Sequence, residues 1–193
     1  RLMPNLVDVT YEQTGGSTAT DELGMREMQA RAFAQRESKY LLIKAPPASG
    51  KSRALMFIGL DKLFNQGRRK VIVAVPERAI GKSFQNTRLT EHGFFADWEI
   101  AERDNLCTPG SSEGKVEAFQ RFMASNDPTL VCTHATLRFA YEGLEDGTFD
   151  DVVLAIDEFH HVSADEDSRL GELLRSVIAE TDAHVVAMTG SYF

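Results

Sequence analysis

The stretch Ala45-Pro46-Pro47-Ala48-Ser49-Gly50-Lys51-Ser52 constrains this chain more than any other. It follows an apolar run, Tyr40-Leu41-Leu42-Ile43, that reads as a buried strand. It opens a segment in which Met56, Leu60, Leu63 and Phe64 recur at helical spacing. Strand, small-residue loop ending in Gly-Lys-Ser, then helix is the setting of a P-loop. Backbone N–H groups at such a helix start face phosphates, and the helix dipole favours negative charge there. Pro47, Ala48, Ser49, Gly50, Lys51 and Ser52 are therefore the candidate triphosphate cradle. Lys51 would supply a point charge to the β/γ-phosphates, and the Ser52 hydroxyl would ligate Mg²⁺. In the strict pattern the leading residue is Gly, where this chain has Ala45.

The rest of the chain supports a parallel sheet around that loop. Lys70–Val75, Thr129–Cys132, Val152–Ile156 and His184–Met188 are near-continuous apolar strands separated by helical patterns. Such strands imply a sheet covered by helices on both faces. A helix is expected over about Asp21–Arg36, and another from Pro76 to about Glu91, weakened by Gly81. Trp98–Glu102 reads as a short strand, and Thr108-Pro109-Gly110 as a turn into a helix carrying Val116, Phe119 and Met123. Ser163–Glu166 reads as a capping box before a helix with Leu170, Leu173, Leu174, Val177 and Ile178 on one face. Residues 1–20, ending in Thr14-Gly15-Gly16-Ser17-Thr18, read as a flexible or linker segment, leaving 21–193 as one domain.

Composition narrows the class. At 193 residues with a net charge of −8, the chain carries no broad basic surface, so nucleic-acid binding would need local features. No apolar run is long enough to span a membrane and no signal-peptide pattern opens the chain. The two cysteines, Cys107 and Cys132, form no C-x-x-C pair and suit a reducing cytoplasm. Beginning at Arg1, the chain reads as an excised piece of something longer.

The second signal is Val152-Val153-Leu154-Ala155-Ile156-Asp157-Glu158-Phe159-His160-His161, an apolar strand ending in two acids, expected beside the P-loop strand. Asp157 can hold Mg²⁺ and Glu158 can orient and deprotonate an attacking water. Asp157-Glu158-Phe159-His160 resembles the Asp-Glu-x-His box of superfamily 2 helicases and translocases (DEAD/DEAH-like). Ala45–Ser52 resembles their first motif, Ala-x-x-Gly-x-Gly-Lys-Thr, which accounts for Ala45 and makes Ala48 the departure.

Further elements fall in that family's order. Arg26–Gln29 resembles an upstream Arg-x-x-Gln element, which implies adenine contact by Gln29; by itself Gln29 reads as a surface helical residue. Val73–Arg78 and Val131–Leu137 resemble motifs Ia and Ib, which implies contact of Pro76, Arg78, Thr133 and His134 with a nucleic-acid backbone. For Arg78, Lys82 and Arg138 a solvated helix face is the plain alternative. Met188–Ser191 stands where motif III would, which implies that Thr189 and Ser191 couple to His160. His161 reads as structural.

The resemblance covers about Met25–Ser191 and implies a three-layer RecA-like P-loop NTPase fold. It further implies an ATP-hydrolysing motor domain using ATP and Mg²⁺ and acting on nucleic acid, DNA by preference. In that family a second RecA-like domain supplies the opposite wall of the ATP site, including an arginine finger. Two rival readings stand beside it: a nucleotide-dependent scaffold without turnover, and a small-molecule P-loop kinase.

Overall fold

The computed structural model describes residues 3–11, 19–145, 147–160 and 169–190. Six strands make one sheet: β1 (Val7–Thr10), β2 (Tyr40–Lys44), β3 (Lys70–Val75), β4 (Thr129–Thr133), β5 (Val152–Ile156) and β6 (His184–Thr189). Their spatial order is β1-β2-β6-β5-β3-β4, and every pairing is parallel. Five helices are described: α1 (Glu27–Phe33), α2 (Lys51–Asn65), α3 (Ser112–Ala124), α4 (His134–Tyr141) and α5 (Arg169–Glu180).

Period-two alternation divides the strand residues between two cores. Leu41, Ile43, Val71, Val73, Val75, Val153, Ala155, Val186 and Met188 pack with α1, α2 and Trp98 on one face. Tyr40, Leu42, Ile72, Ala74, Leu130, Cys132, Leu154, Ile156, Val185 and Ala187 pack with α3, α4 and α5 on the other. Both faces are thus covered, which is why the strands are apolar at nearly every position. The three-layer α/β expectation holds.

Several local expectations change. Part of the expected linker over 1–20 is sheet: Val7–Thr10 pair with Leu41–Lys44 as an edge strand, and Val9 is buried. Four residues with mixed burial give too short a pattern to read. The Gly-rich stretch 14–18 and the capping box at Ser163–Glu166 lie outside the described residues.

The helix expected from Asp21 starts only at Glu27. The Asp21 carboxylate instead accepts from the Leu23 and Met25 amides at 2.9 and 3.0 Å. That local turn competes with helix formation.

The helix expected after Pro76 is replaced by two short 3-10 segments, Arg78–Phe84 and Leu89–His92. Side chains pin this region at points a continuous helix could not reach. The Phe84 carbonyl accepts from Trp98 Nε1 at 2.9 Å, and Asn86 Oδ1 accepts from the Ile100 amide at 2.7 Å. The strand expected at Trp98–Glu102 is reduced to a single antiparallel bridge between Thr87 and Trp98.

Candidate nucleotide site

The P-loop runs from the carboxyl end of β2 to the start of α2. The Ala45 amide donates to the Thr189 carbonyl at 3.1 Å, which fixes the loop's exit from the sheet against the neighbouring β6. Two residues of the loop sit in the left-handed region: Ala48 at φ +63° and Gly50 at φ +89°. For Gly50 the requirement is also steric, because a Cβ there would collide with the Gln29 side-chain amide. Ala48 occupies a conformation that glycine reaches with no steric penalty and that costs an L-residue about 1 kcal/mol. The departure noted at Ala48 in the sequence is therefore a strained position.

Lys51 folds back over the loop, its Nζ donating to the Ala45 and Pro46 carbonyls at 3.2 and 3.4 Å. Burial lowers its pKa, while Glu158 and Asp157 act in the opposite sense. Those acids stand at the end of β5, and β6 intervenes between β5 and β2. The expected direct adjacency of the two strands is thus corrected. The inserted strand brings Thr189 between loop and acids.

Asp157 is 6 % exposed. Burial first, and the Glu158 charge second, push its carboxyl up to about 6, although the Glu158 amide donates to Asp157 Oδ1 at 2.9 Å. Glu158 itself has φ +53°, a left-handed turn that lets its side chain leave the strand direction.

A cleft of about 600 Å³ opens between these elements, lined among others by Gln29, Ala48, Gly50, Lys51, Ser52, Asp157 and Glu158. That volume suits a nucleotide-sized ligand. Of the other candidates, Pro47 is exposed and Ser49 turns inward, its Oγ donating to the Pro46 carbonyl at 2.6 Å.

Gln29 is buried at 2 % exposure, so the surface-residue alternative is wrong. Its Oε1 accepts from the Arg26 amide at 2.8 Å and its Nε2 donates to the Gly50 carbonyl at 3.1 Å.

Behind the acids, His160 Nδ1 is 2.8 Å from Thr189 Oγ1 and 3.3 Å from Glu158 Oε2. The Phe159 amide donates to the Met188 carbonyl at 2.8 Å. The turn after β5 and the end of β6 are therefore tied together. Ser191 and His161 lie outside the described residues.

Of the residues expected at a nucleic-acid backbone, Pro76 and Thr133 stand at the ends of the paired strands β3 and β4, and Arg78 shares a cavity with Thr133. Arg78 lines two further cavities, of about 480 and 230 Å³, and Thr133 lines the smaller. The Thr133 hydroxyl already caps α4, accepting from the Thr136 amide at 3.2 Å. His134 Nε2 is 2.8 Å from the Asp157 carbonyl oxygen, tying the end of β4 to the acidic turn. Pro76 ends β3 and is half-buried.

Three cations not expected at the nucleotide line the cleft: Arg26, Arg53 and Lys82. Arg26 Nη1 donates to the Ala48 carbonyl at 3.3 Å. Arg53 follows Ser52 directly, a signal available from adjacency. For Lys82 the sequence alternatives are a nucleic-acid contact and a solvated helix face, and neither places it at the nucleotide cleft.

The donor set fits a Mg²⁺–nucleotide. Asp157 and Ser52 offer oxygen only, and Mg²⁺ at phosphates takes one or two protein ligands plus water. Accordingly, no group of three or more His, Cys, Asp or Glu able to hold a metal ion by itself occurs among the described residues. No helix among the described residues is long and apolar enough to cross a membrane.

Comparison with known proteins agrees with the geometry. A family model described as DEAD/DEAH box helicase matches residues 26–192. A Bacillus subtilis (strain 168) protein named "Putative ATP-dependent helicase YeeB" is 66% identical over 191 residues. That match covers 99% of this chain but 32% of the relative, so the chain spans about a third of its length. Among solved structures, the Hef helicase domain of Pyrococcus furiosus superposes with a TM-score of 0.63 at 19% identity, over 86% of this chain and 33% of that one. The Mycobacterium smegmatis helicase Lhr, solved with ssDNA and AMP-PNP, gives 0.54 at 22% identity over 84% and 22%. These two likenesses speak for the fold. The family match and the 66% relative speak for more: the chain belongs to the DEAD/DEAH box helicase family.

Proposed function

We propose that this chain is the first motor domain of a nucleic-acid helicase or translocase, binding ATP–Mg²⁺ in the cleft between P-loop and acidic turn. The observation that carries the reading is the convergence of Lys51, Ser52, Asp157 and Glu158 on one cleft from two separate elements. DNA is the preferred track, in keeping with the ssDNA in the Lhr structure.

In this reading Lys51 leaves its two carbonyl partners and turns to the β/γ-phosphates. Ser52 and Asp157 would hold the Mg²⁺, which neutralises phosphate charge when bound. Glu158 orients a water and takes its proton as the water oxygen attacks the γ-phosphorus. The bond to the ADP oxygen then breaks, releasing phosphate. Gln29 reads the adenine edge after releasing the Gly50 carbonyl. His160 and Thr189 relay nucleotide state from the acidic turn to β6, while Pro76, Arg78, Thr133 and His134 face the nucleic-acid backbone. A second RecA-like domain closes the cleft and adds an arginine, worth orders of magnitude in rate.

The direct test is titration of a fluorescent ATP analogue into the wild type and Lys51→Ala. Losing a charge-assisted phosphate contact of about 2–3 kcal/mol weakens binding at least about 30-fold. Unchanged affinity would remove the assignment.

A further inference from the structure

Lys82 belongs to none of the sequence elements that suggested the site, yet it forms part of the cleft wall together with Arg53. Its position follows from how the 3-10 segment Arg78–Phe84 is fastened. Gly81 is buried so closely against Cys107 that a Cβ there would lie 2.6 Å from the Cys107 Cβ. On the other side of Lys82, Phe84 is fully buried and its carbonyl accepts from Trp98 Nε1 at 2.9 Å. Between these two anchors the backbone has little freedom, and the exposed Lys82 and Ser83 line the cleft.

The charges in the cleft are unequally engaged. Lys51 Nζ is held by the Ala45 and Pro46 carbonyls and Arg26 Nη1 by the Ala48 carbonyl. The side chains of Lys82 and Arg53 make no hydrogen bond or ion pair among the described residues. In a chain of net charge −8, two cations without a salt-bridge partner, from different elements, share one cleft with Asp157 and Glu158. A water-accessible cation on an anchored backbone, with no internal partner, can meet an anionic ligand without an existing contact being broken first.

We infer that Lys82, supported by Arg53, is a further nucleotide-binding residue of this domain, contacting the phosphate chain from the 3-10 segment of the cleft wall. The inference rests on the nucleotide reading above. It deepens that reading by giving the domain a cationic contact of its own outside the P-loop. Lys82 also lines the neighbouring cavity of about 480 Å³, so a nucleic-acid phosphate is the competing source of the same chemistry.

The test uses the full-length protein with Lys82→Ala, Lys82→Arg and Lys51→Ala, titrated with fluorescent ATP and, separately, with a single-stranded oligonucleotide lacking nucleotide. Lys82→Ala should weaken ATP binding roughly fivefold, as for a partly exposed ion pair, and Lys82→Arg should restore most of it. Oligonucleotide affinity should be unchanged. Unaltered ATP affinity in Lys82→Ala overturns the inference, as does a loss confined to the oligonucleotide. If Lys51→Ala also leaves ATP binding intact, the nucleotide reading itself fails; if Lys51→Ala alone abolishes it, only the role of Lys82 falls.

Discussion

Asp157 carries the largest electrostatic penalty at the site. A carboxylate at 6 % exposure beside a second acid is costly to ionise, and burial pushes its pKa up to about 6. Because the folded pKa lies above the unfolded one, the linked stability is fully present below about pH 4 and is lost as pH rises through about 6. At pH 7.5 the ionised group therefore destabilises the nucleotide-free domain, by at most about 2–3 kcal/mol. A cation held there reverses the sign. Asp157→Asn should raise the melting temperature at pH 7.5, with the gain shrinking as pH falls from about 6 towards 4. An equal or lower melting temperature at pH 7.5 would show that the site is not strained by charge. The Glu158 charge is the second contributor, so the two acids would be best accommodated with a divalent ion between them and the phosphates.

The strand–loop–helix from Tyr40 to Asn65 is the element on which the site depends, and most of it was legible in the sequence. The apolar run, the small residues and the helical spacing specified β2, the loop and α2. What could not be read was which positions take positive φ, since that depends on neighbours: Gly50 is fixed by Gln29, which is 21 residues away in sequence. Ala48 shares the left-handed region without glycine's freedom.

Ala48→Gly should therefore stabilise the domain by up to about 0.5 kcal/mol, the relief of strain slightly outweighing the extra chain entropy of glycine. For a domain of this size that is a rise of up to about 2 °C in melting temperature. A fall would mean that the loop is better specified by alanine. The 3-10 segment Arg78–Phe84 is the opposite case. Its geometry comes from Cys107, Trp98 and Asn86 contacts that no local pattern encodes, so Lys82 was legible as exposed but not as part of the cleft wall.

At the scale of the molecule, the parallel sheet and its two covered faces follow from apolar strands alternating with helices, whereas strand order does not. Nothing in the pattern at His184–Met188 announced that β6 would insert between β2 and β5. That insertion puts Thr189 between loop and acids, where it meets His160 at 2.8 Å and, through its carbonyl, Ala45 at 3.1 Å. The nucleic-acid side was least legible. A net charge of −8 gives no patch to follow, and Thr133 and His134 turn out to be engaged in holding α4 and the acidic turn.

The central claim is that ATP turnover in this cleft serves movement on nucleic acid. The most direct measurement is steady-state ATP hydrolysis by the full-length protein, alone, with single-stranded DNA and with single-stranded RNA, beside Glu158→Gln. The account predicts hydrolysis stimulated by the DNA and lost in Glu158→Gln, with ATP binding retained. Hydrolysis indifferent to DNA and RNA alike, or binding with no turnover under any condition, would contradict it.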